Sequence, residues 1–365
     1  MAGQQASPQQ LLANFDANAT ERSIVLSSKA YGNGSATFNL PHAGVPTFAI
    51  ASFSGSLTRT EGTTVGTVTA SPFWPFNIMA PSSLVDYSGI VRIFADGYDL
   101  FTLELVKNYG VEPRTPYSQE SYASQVYAAS IPAGTAGAST TSNIRFSVVV
   151  PTSYTKYSAL GSYAATVPDG EATFTIQEAA LTGSNIGAPL TLSGTTKVAL
   201  TGNWSYEYYF LDTPSSVPIP VQALQEVHEV YHQESTTDLE AGTPKDTVLQ
   251  TGRQYYRVLQ RLVADNTLDI LNVSRFQFLV DSSTPTLDET LAAYLARIRY
   301  LYGRDMPPGM IVNDFSRRPW TPNNYGSLTA RLVLGNAFSP GSFSKLFTLR
   351  EALYTPSGNL VAIGG

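Results

Sequence analysis

The chain has 365 residues, enough for two domains of ordinary size or one large one. Hydrophobic residues make up 43% of it, with 21 Tyr, 17 Phe and 3 Trp, while only 14% of residues are charged, against about 25% in typical globular chains. Disorder is excluded for most of the length, because disordered chains are charged and poor in aromatics. The net charge of -6 argues against a dedicated nucleic-acid binder, which needs a cationic footprint.

There is no cysteine, hence no disulfide framework, thiolate nucleophile or Cys-type zinc site. The start, Met1 to Pro8, has neither a basic n-region nor an apolar h-region, so no secretory signal is expected. No apolar run approaches the ~20 residues of a spanning helix.

In chain order, Ser7-Pro8-Gln9-Gln10 sets an N-cap serine, a proline at the first helical position and a glutamine at the third. This predicts a short helix with Leu11, Leu12 and Phe15 on one face. So short a helix is marginal alone in water. Its apolar face must dock on the chain's own core, a neighbouring subunit or a lipid surface.

Period-2 or β-branched runs predict strands at 24–26, 36–40, 47–53 and 64–69, with Gly32-Asn33-Gly34 as a turn. A strand at 90–94 is followed by a helix from 97 to 109 through Leu100, Leu103, Leu105 and Val106. Residues 111–143, rich in Ser, Ala, Gly, Tyr and Pro without periodicity, predict a long loop of the functional or interfacial kind. Strands resume at 143–150, 171–177, 197–200 and 203–211, ahead of a Pro-rich joint ending at Pro220.

The second block predicts strands near 221–232, 247–263 and 269–280. A helix then opens on Thr286-Leu287-Asp288-Glu289 as a capping box, with Leu287, Leu291, Leu295, Ile298 and Leu301 or Tyr302 as its stripe and Gly303 as its stop. Late strands fall at 327–334 and 345–353. Both blocks run short strands, one late helix (97–109 and 286–303), then more strands. The pattern predicts an all-β fold of two tandem β-sandwiches of the jelly-roll kind. Residues 1–21 form an N-terminal amphipathic helix or arm, 22–212 the first sandwich, 213–220 the Pro-rich linker and 221–365 the second sandwich.

His228-Glu229-Val230-Tyr231-His232 matches H-E-x-x-H, which on a helix holds zinc between two histidines with the glutamate polarising a water. The reading needs a helix and a third ligand. No histidine follows His232, so Glu240 or Glu289 would have to serve. A polar stretch beside a β-core is the preferred reading, and a zinc metallohydrolase using His228, Glu229 and His232 stays an alternative.

No nucleophile elbow, phosphate-binding loop or dinucleotide fingerprint is present. Paired carboxylates on β-sandwich loops leave no sequence signature, so a carbohydrate-binding or -degrading β-sandwich is a second alternative. Arg317-Arg318-Pro319-Trp320 reads as a surface turn. The acids Glu226, Glu229, Glu234, Asp238, Glu240 and Asp246, set against Lys245 alone, read as a solvated face.

Composition carries the strongest functional signal. Interfaces are enriched in Tyr, Trp, Phe and Arg and depleted in Lys; this chain has 6 Lys against 16 Arg. A subunit of an assembly is favoured over an isolated enzyme, with no catalytic residue, cofactor or metal site expected.

Four stretches add a resemblance. They are Gln9 to Leu12 leading into Arg22 to Ser28, the aromatic run Tyr206 to Asp212, Val248 to Arg257, and Asn313 to Pro319 with Asn324 to Gly326. Through them the chain resembles the double jelly-roll major capsid proteins of tectiviruses, icosahedral phages with a membrane inside the shell. The likeness spans nearly the whole chain, but the acidic 226–246 segment has no counterpart in it.

The resemblance implies two eight-stranded jelly rolls, with a short N-terminal helix and one helix per roll. It implies a homotrimer that forms a pseudo-hexagonal capsomer, with neighbouring capsomers, penton and minor capsid proteins and an internal membrane as further partners. It implies no cofactor and no direct sequence-specific nucleic-acid contact. The setting would be the virion shell, after synthesis in the host cytoplasm. Leu11, Leu12 and Phe15 would lie beneath the capsomer, near the inner membrane and minor proteins, and interstrand loops such as 111–143 would make towers or inter-subunit contacts.

Overall fold

A computed structural model describes residues 7–108, 127–165, 170–214, 217–221, 224–235, 239–268, 270–281, 283–303, 305–320, 327–339, 341 and 343–356. Its sixteen principal strands fall into two sets of eight. The first set is β1 (Thr20–Val25), β2 (Ser35–Asn39), β3 (Val45–Thr60), β4 (Met79–Val85), β5 (Val91–Ala95), β6 (Ser139–Pro151), β7 (Thr173–Glu178) and β8 (Lys197–Asp212). The second is β9 (Val227–Glu234), β10 (Pro244–Leu249), β11 (Gln254–Ala264), β12 (Val273–Val280), β13 (Thr284–Thr290), β14 (Met310–Asp314), β15 (Leu328–Leu334) and β16 (Lys345–Tyr354). Among the described residues the α-helices are α1 (Pro8–Asn18), α2 (Gly97–Lys107) and α3 (Leu291–Tyr302).

Each set folds the same way. The first, eighth, third and sixth strands lie side by side, as β1-β8-β3-β6 and as β9-β16-β11-β14. The second, seventh, fourth and fifth form the facing sheet, as β2-β7-β4-β5 and as β10-β15-β12-β13. This is the jelly-roll order, and in both rolls the helix sits between the fifth and sixth strands.

The rolls are not beads on a string. β5, the edge of the first roll's second sheet, pairs in parallel with β9, the edge of the second roll's first sheet, at Ile93 with Val230 and Phe94 with Tyr231. One continuous sheet therefore runs through both rolls. Because side chains alternate between faces, this shared wall has two sides. Ile93, Val230, Leu349 and Leu259 point to the first roll's side, whereas Ala352 and Val258 belong to a separate core within the second roll.

The interior of the first roll is aromatic. Phe38 and Phe174 stack on Tyr206, while Phe53 and Phe146 meet Trp204 edge-on. Gly202 sits opposite Gly55 where β8 and β3 come close; a Cβ on Gly202 would lie 2.6 Å from the Ser54 carbonyl oxygen. That close approach lets 197–212 run as one strand, where the sequence pattern divides it at 201–202.

Several expectations need correction. The late helix starts at Leu291, not 286. Thr284–Thr290 pairs with β12 as a strand, and the N-cap is Thr290, which accepts from the Ala293 N–H. Alternation over Pro285, Leu287 and Glu289 suits a strand as well as a cap, and β12 decides between them. Residues 247–263 form two strands with a turn at Thr251-Gly252. From the 64–69 run, only Val68–Ala70 becomes a strand, paired with Leu190–Leu192. Within the expected loop 111–143, Ala128–Ala129 and Ser139 onward are strand; 109–126 lies outside the described residues, as do Asn324 to Gly326 and Asp238. β4 and β14 were not expected at all.

Candidate functional site

The N-terminal face comes first. Ser7 and Gln10 form the expected capping box of α1. Phe15 is buried against Val45, Ala159 and Leu211, with Leu12, Ile219 and Leu224 packed alongside. Asp16 fastens the helix by accepting from the Ser158 hydroxyl at 2.7 Å and the Ala159 N–H at 3.1 Å. Of the three destinations open to this face, the chain itself takes Phe15 and Leu12, and Leu11 is left half-buried.

The H-E-x-x-H segment lies on strand β9, not on a helix. Four residues along a strand separate His228 from His232 by about 13 Å, too far for one ion whose ligand bonds are near 2 Å. Glu229 points to the opposite face, where Arg253 binds it at 2.6 and 3.1 Å. The zinc reading fails because a strand's period is 2 and a helix's is 3.6.

The two histidines instead join separate charged clusters, both on the wall face that looks toward α2. The first centres on Glu351, fully buried on β16. Its carboxylate accepts from His228 Nε2 at 2.9 Å, meets Lys107 Nζ at 2.5 Å and binds Arg257. Arg257 lies 3.6 Å from Asp314, which accepts from the Tyr302 hydroxyl at 3.0 Å. Four alternating charges thus link the last turn of α2 to the last residue of α3. Burial alone would raise the Glu351 pKa; Lys107 and Arg257, with the His228 hydrogen bond, instead hold it well below the usual carboxylate range. Burial pushes His228 down, so it is a neutral imidazole whose Nε2 carries the proton toward Glu351.

The second cluster sits at the start of α2. Asp96 is the N-cap and accepts from the Asp99 N–H. Arg261 donates to Asp96 and Asp99 at 2.8 Å each, and His232 Nδ1 lies 2.5 Å from Asp99. The Arg261 guanidinium is flanked by Phe73, Tyr98 and Phe347 rings at 4.9, 5.2 and 4.8 Å. Burial opposes the charge on Asp99, but Arg261 and His232 hold its pKa below the usual value. Burial opposes the charge on His232 as well, and Asp99 holds that pKa above the usual value. Asp96, Asp99 and His232 cluster like metal ligands, yet Arg261 already fills the cation's place. Two carboxylates at a helix N-terminus also suit its dipole.

Both clusters cross between the rolls, with α2 bolted to the second roll at each end. Residues 153–163 complete the cover. His228 N–H donates to the Gly161 carbonyl at 2.8 Å, Arg92 donates to the same oxygen, and Tyr154 packs on Tyr256 at 4.1 Å. Every residue of β11 from Tyr255 to Ala264 is consequently buried, charged ones included. In a lone sandwich the Arg257–Arg261 face would be solvated.

No local sequence signal marks this joint, because Arg257, Arg261 and Glu351 sit on strands whose alternation fits a solvated face equally well. In the cluster Arg317-Arg318-Pro319-Trp320, both arginines are exposed, while Trp320 pairs its backbone with Tyr255 and meets Phe278 edge-on. A shallow groove of about 580 Å³ lies beside the joint on the other wall face, lined by Phe94, Tyr231, Val248 and Arg350 among others. No helix among the described residues is long and apolar enough to cross a membrane.

No protein-family model and no curated protein matches this sequence. Solved structures do. The STIV MCP shares 15% identity with a TM-score of 0.65, over 94% of this chain and 100% of that one. The atomic structure of Sulfolobus Turreted Icosahedral Virus gives 15% and 0.64, over 92% and 91%. The major capsid protein of bacteriophage PM2 gives 11% and 0.52, over 93% and 99%. At these identities the likeness establishes the fold, which is the double jelly roll of viral coat proteins.

Proposed function

We propose that this chain is a structural major capsid protein, three copies of which form a pseudo-hexagonal capsomer in the shell of an icosahedral virion. The observation that carries this reading is the joining of two complete jelly rolls by a shared sheet and two buried charge clusters, in a fold that the STIV MCP matches over 94% of this chain. A shell tile needs rigidity and broad faces for neighbours, and it needs no cleft. Low charge and many arginines and tyrosines support burial between subunits.

In this reading 22–212 and 221–365 are the two rolls about the 213–220 joint, and 1–21 is an arm. Arm helix α1 lies toward the inside of the shell, where penton or minor proteins and an internal membrane are its neighbours. Leu12 and Phe15 anchor it, and Leu11 is the apolar side chain left for contact. The carbohydrate alternative is not favoured: all three tryptophans are buried or half-buried, and the two most exposed tyrosines among the described residues, Tyr157 and Tyr300, stand on different rolls and not on one platform.

The test is solution mass at micromolar concentration without added metal. A trimer is expected, and a stable monomer overturns the reading.

A further inference from the structure

The repeat within the chain carries information about contacts between chains. In the second roll, α2 covers the outer face of the first sheet. In the first roll the equivalent face, on β1-β8-β3-β6, is covered at its Val45–Leu211 end by Phe15 of α1, and no helix among the described residues lies over the rest of it. α3, the equivalent of α2, is buried along one stripe only, at Tyr294, Ile298 and Tyr302. Its other side is open at Ala292, Ala293, Ala296, Arg299 and Tyr300, the last 88% exposed. The strand edges repeat the asymmetry. β5 and β9 pair, whereas β13 and β1, their equivalents, are mostly exposed and carry no strand on their outer sides among the described residues. Free edges of this kind invite another chain.

The two rolls can be aligned rung by rung. A β-bulge interrupts the ladder between third and eighth strands at the same place in each, beyond the Phe48–Tyr209 rung in one and beyond the Arg257–Glu351 rung in the other. From that anchor, the rung His232–Leu349–Leu259–Val312 in the second roll corresponds to Val25–Glu207–Ile50–Val149 in the first. The helices align by their N-caps, Asp96 with Thr290, so Asp99 corresponds to Ala293.

The footprint of α2 therefore maps onto Val25, Phe48, Ile50, Val149 and Tyr209. This patch holds a stacked Phe48–Tyr209 pair and Val25, which is 69% exposed. It carries Glu21 and Glu207, opposite in charge to Arg299 on the open side of α3, whose guanidinium is bound by Asp305 within the chain.

We propose that α3 of one copy docks on the Val25–Phe48–Ile50–Tyr209 face of the next, with β13 alongside β1, repeating between chains the joint that unites the two rolls within one chain. The inference rests on the self-assembling reading above and names its contact. Such a contact is heterologous and must close into a ring to avoid a filament; with two rolls per chain, three copies give six similar joints.

The cysteine-free sequence makes the test direct. Because His232 touches Asp99 within the chain, Val25 should approach Ala293 between chains. Full-length Val25→Cys and Ala293→Cys proteins, mixed, allowed to exchange and mildly oxidised, should give a heterotypic cross-linked dimer, with neither protein alone giving a comparable yield. The double variant should close into covalently linked trimers. Val25→Glu and Tyr300→Glu, both at exposed positions, should shift the trimer to monomer by tenfold or more in dissociation constant, with circular dichroism unchanged. A trimer that persists in both Glu variants and shows no heterotypic cross-link overturns this interface while leaving the capsid reading standing. A wild-type protein that stays monomeric overturns both.

Discussion

α2 and α3 follow the same strand of the same topology, yet they live in different surroundings. α2 is enclosed nearly all round, because the first roll packs on one side and the second roll's wall on the other. α3 is enclosed on a single stripe. The difference lies less in helix-forming tendency than in what stands next to each helix. The charges differ accordingly. Those around α2 are buried and mutually neutralising, whereas the Arg299–Asp305 pair beside α3 is 67% and 58% exposed. Buried pairs cost much to break, and exposed pairs contribute little.

Four measurements would break or sharpen that contrast. Glu351→Gln leaves Lys107 and Arg257 short of a counter-charge in the interior, and should lower unfolding free energy by about 3–5 kcal/mol in urea titrations. An effect under ~1 kcal/mol would mean the joint is wetter than its geometry implies. On the α3 side, the buried Tyr294 hydroxyl donates to the Met310 carbonyl and accepts from the Val312 N–H. Tyr294→Phe orphans that N–H and should cost about 1–3 kcal/mol.

The third measurement is of pH. His232 is more basic in the folded chain than in the unfolded one, so its contribution is full below about pH 6.5 and is lost as pH rises through the raised folded value. Asp99, more acidic when folded, contributes fully above about pH 4 and loses that as pH falls through its lowered value. His228, held neutral, works the other way, weakening the fold as pH drops below about 6.5. The stability gap between wild type and His232→Gln should therefore narrow from pH 6 to pH 9, by about 1.4 kcal/mol per unit of upward shift. A gap that widens would mean His232 is neutral in the joint. The smallest effect belongs to Arg299→Ala, which should leave the urea midpoint of the isolated chain unchanged.

Much of the fold is legible in the sequence. The capping box at Ser7, the runs at 36–40, 47–53, 143–150 and 345–353, and the stop at Gly303 are local signals that local physics satisfies. The H-E-x-x-H motif shows the limit of such signals. Five letters fit a zinc helix as text, but β16 and β5 on either side make the segment a strand, and the two histidines part company. Thr284–Thr290 shows the same limit, since its alternation serves a cap or a strand until β12 is beside it. The joint itself could not be found by pattern. Arg257 and Arg261 look like the solvent side of an ordinary strand, and their partners are remote in sequence: Asp96 and Asp99 stand 165 and 162 residues before Arg261, and Glu351 stands 94 after Arg257.

The sequence alone determined the all-β class, the twofold plan with a late helix in each half, and a composition unusually poor in charge. These follow from periodicity and composition, which act over a few residues or over the chain as a whole. Tertiary structure alone decided which faces are inside. A strand's alternation says that it has two sides and cannot say what covers each. Here the cover comes from α2 in one roll, while in the other α1 covers one end of the matching face and Val25, Phe48 and Tyr209 beyond it stay exposed or half-buried.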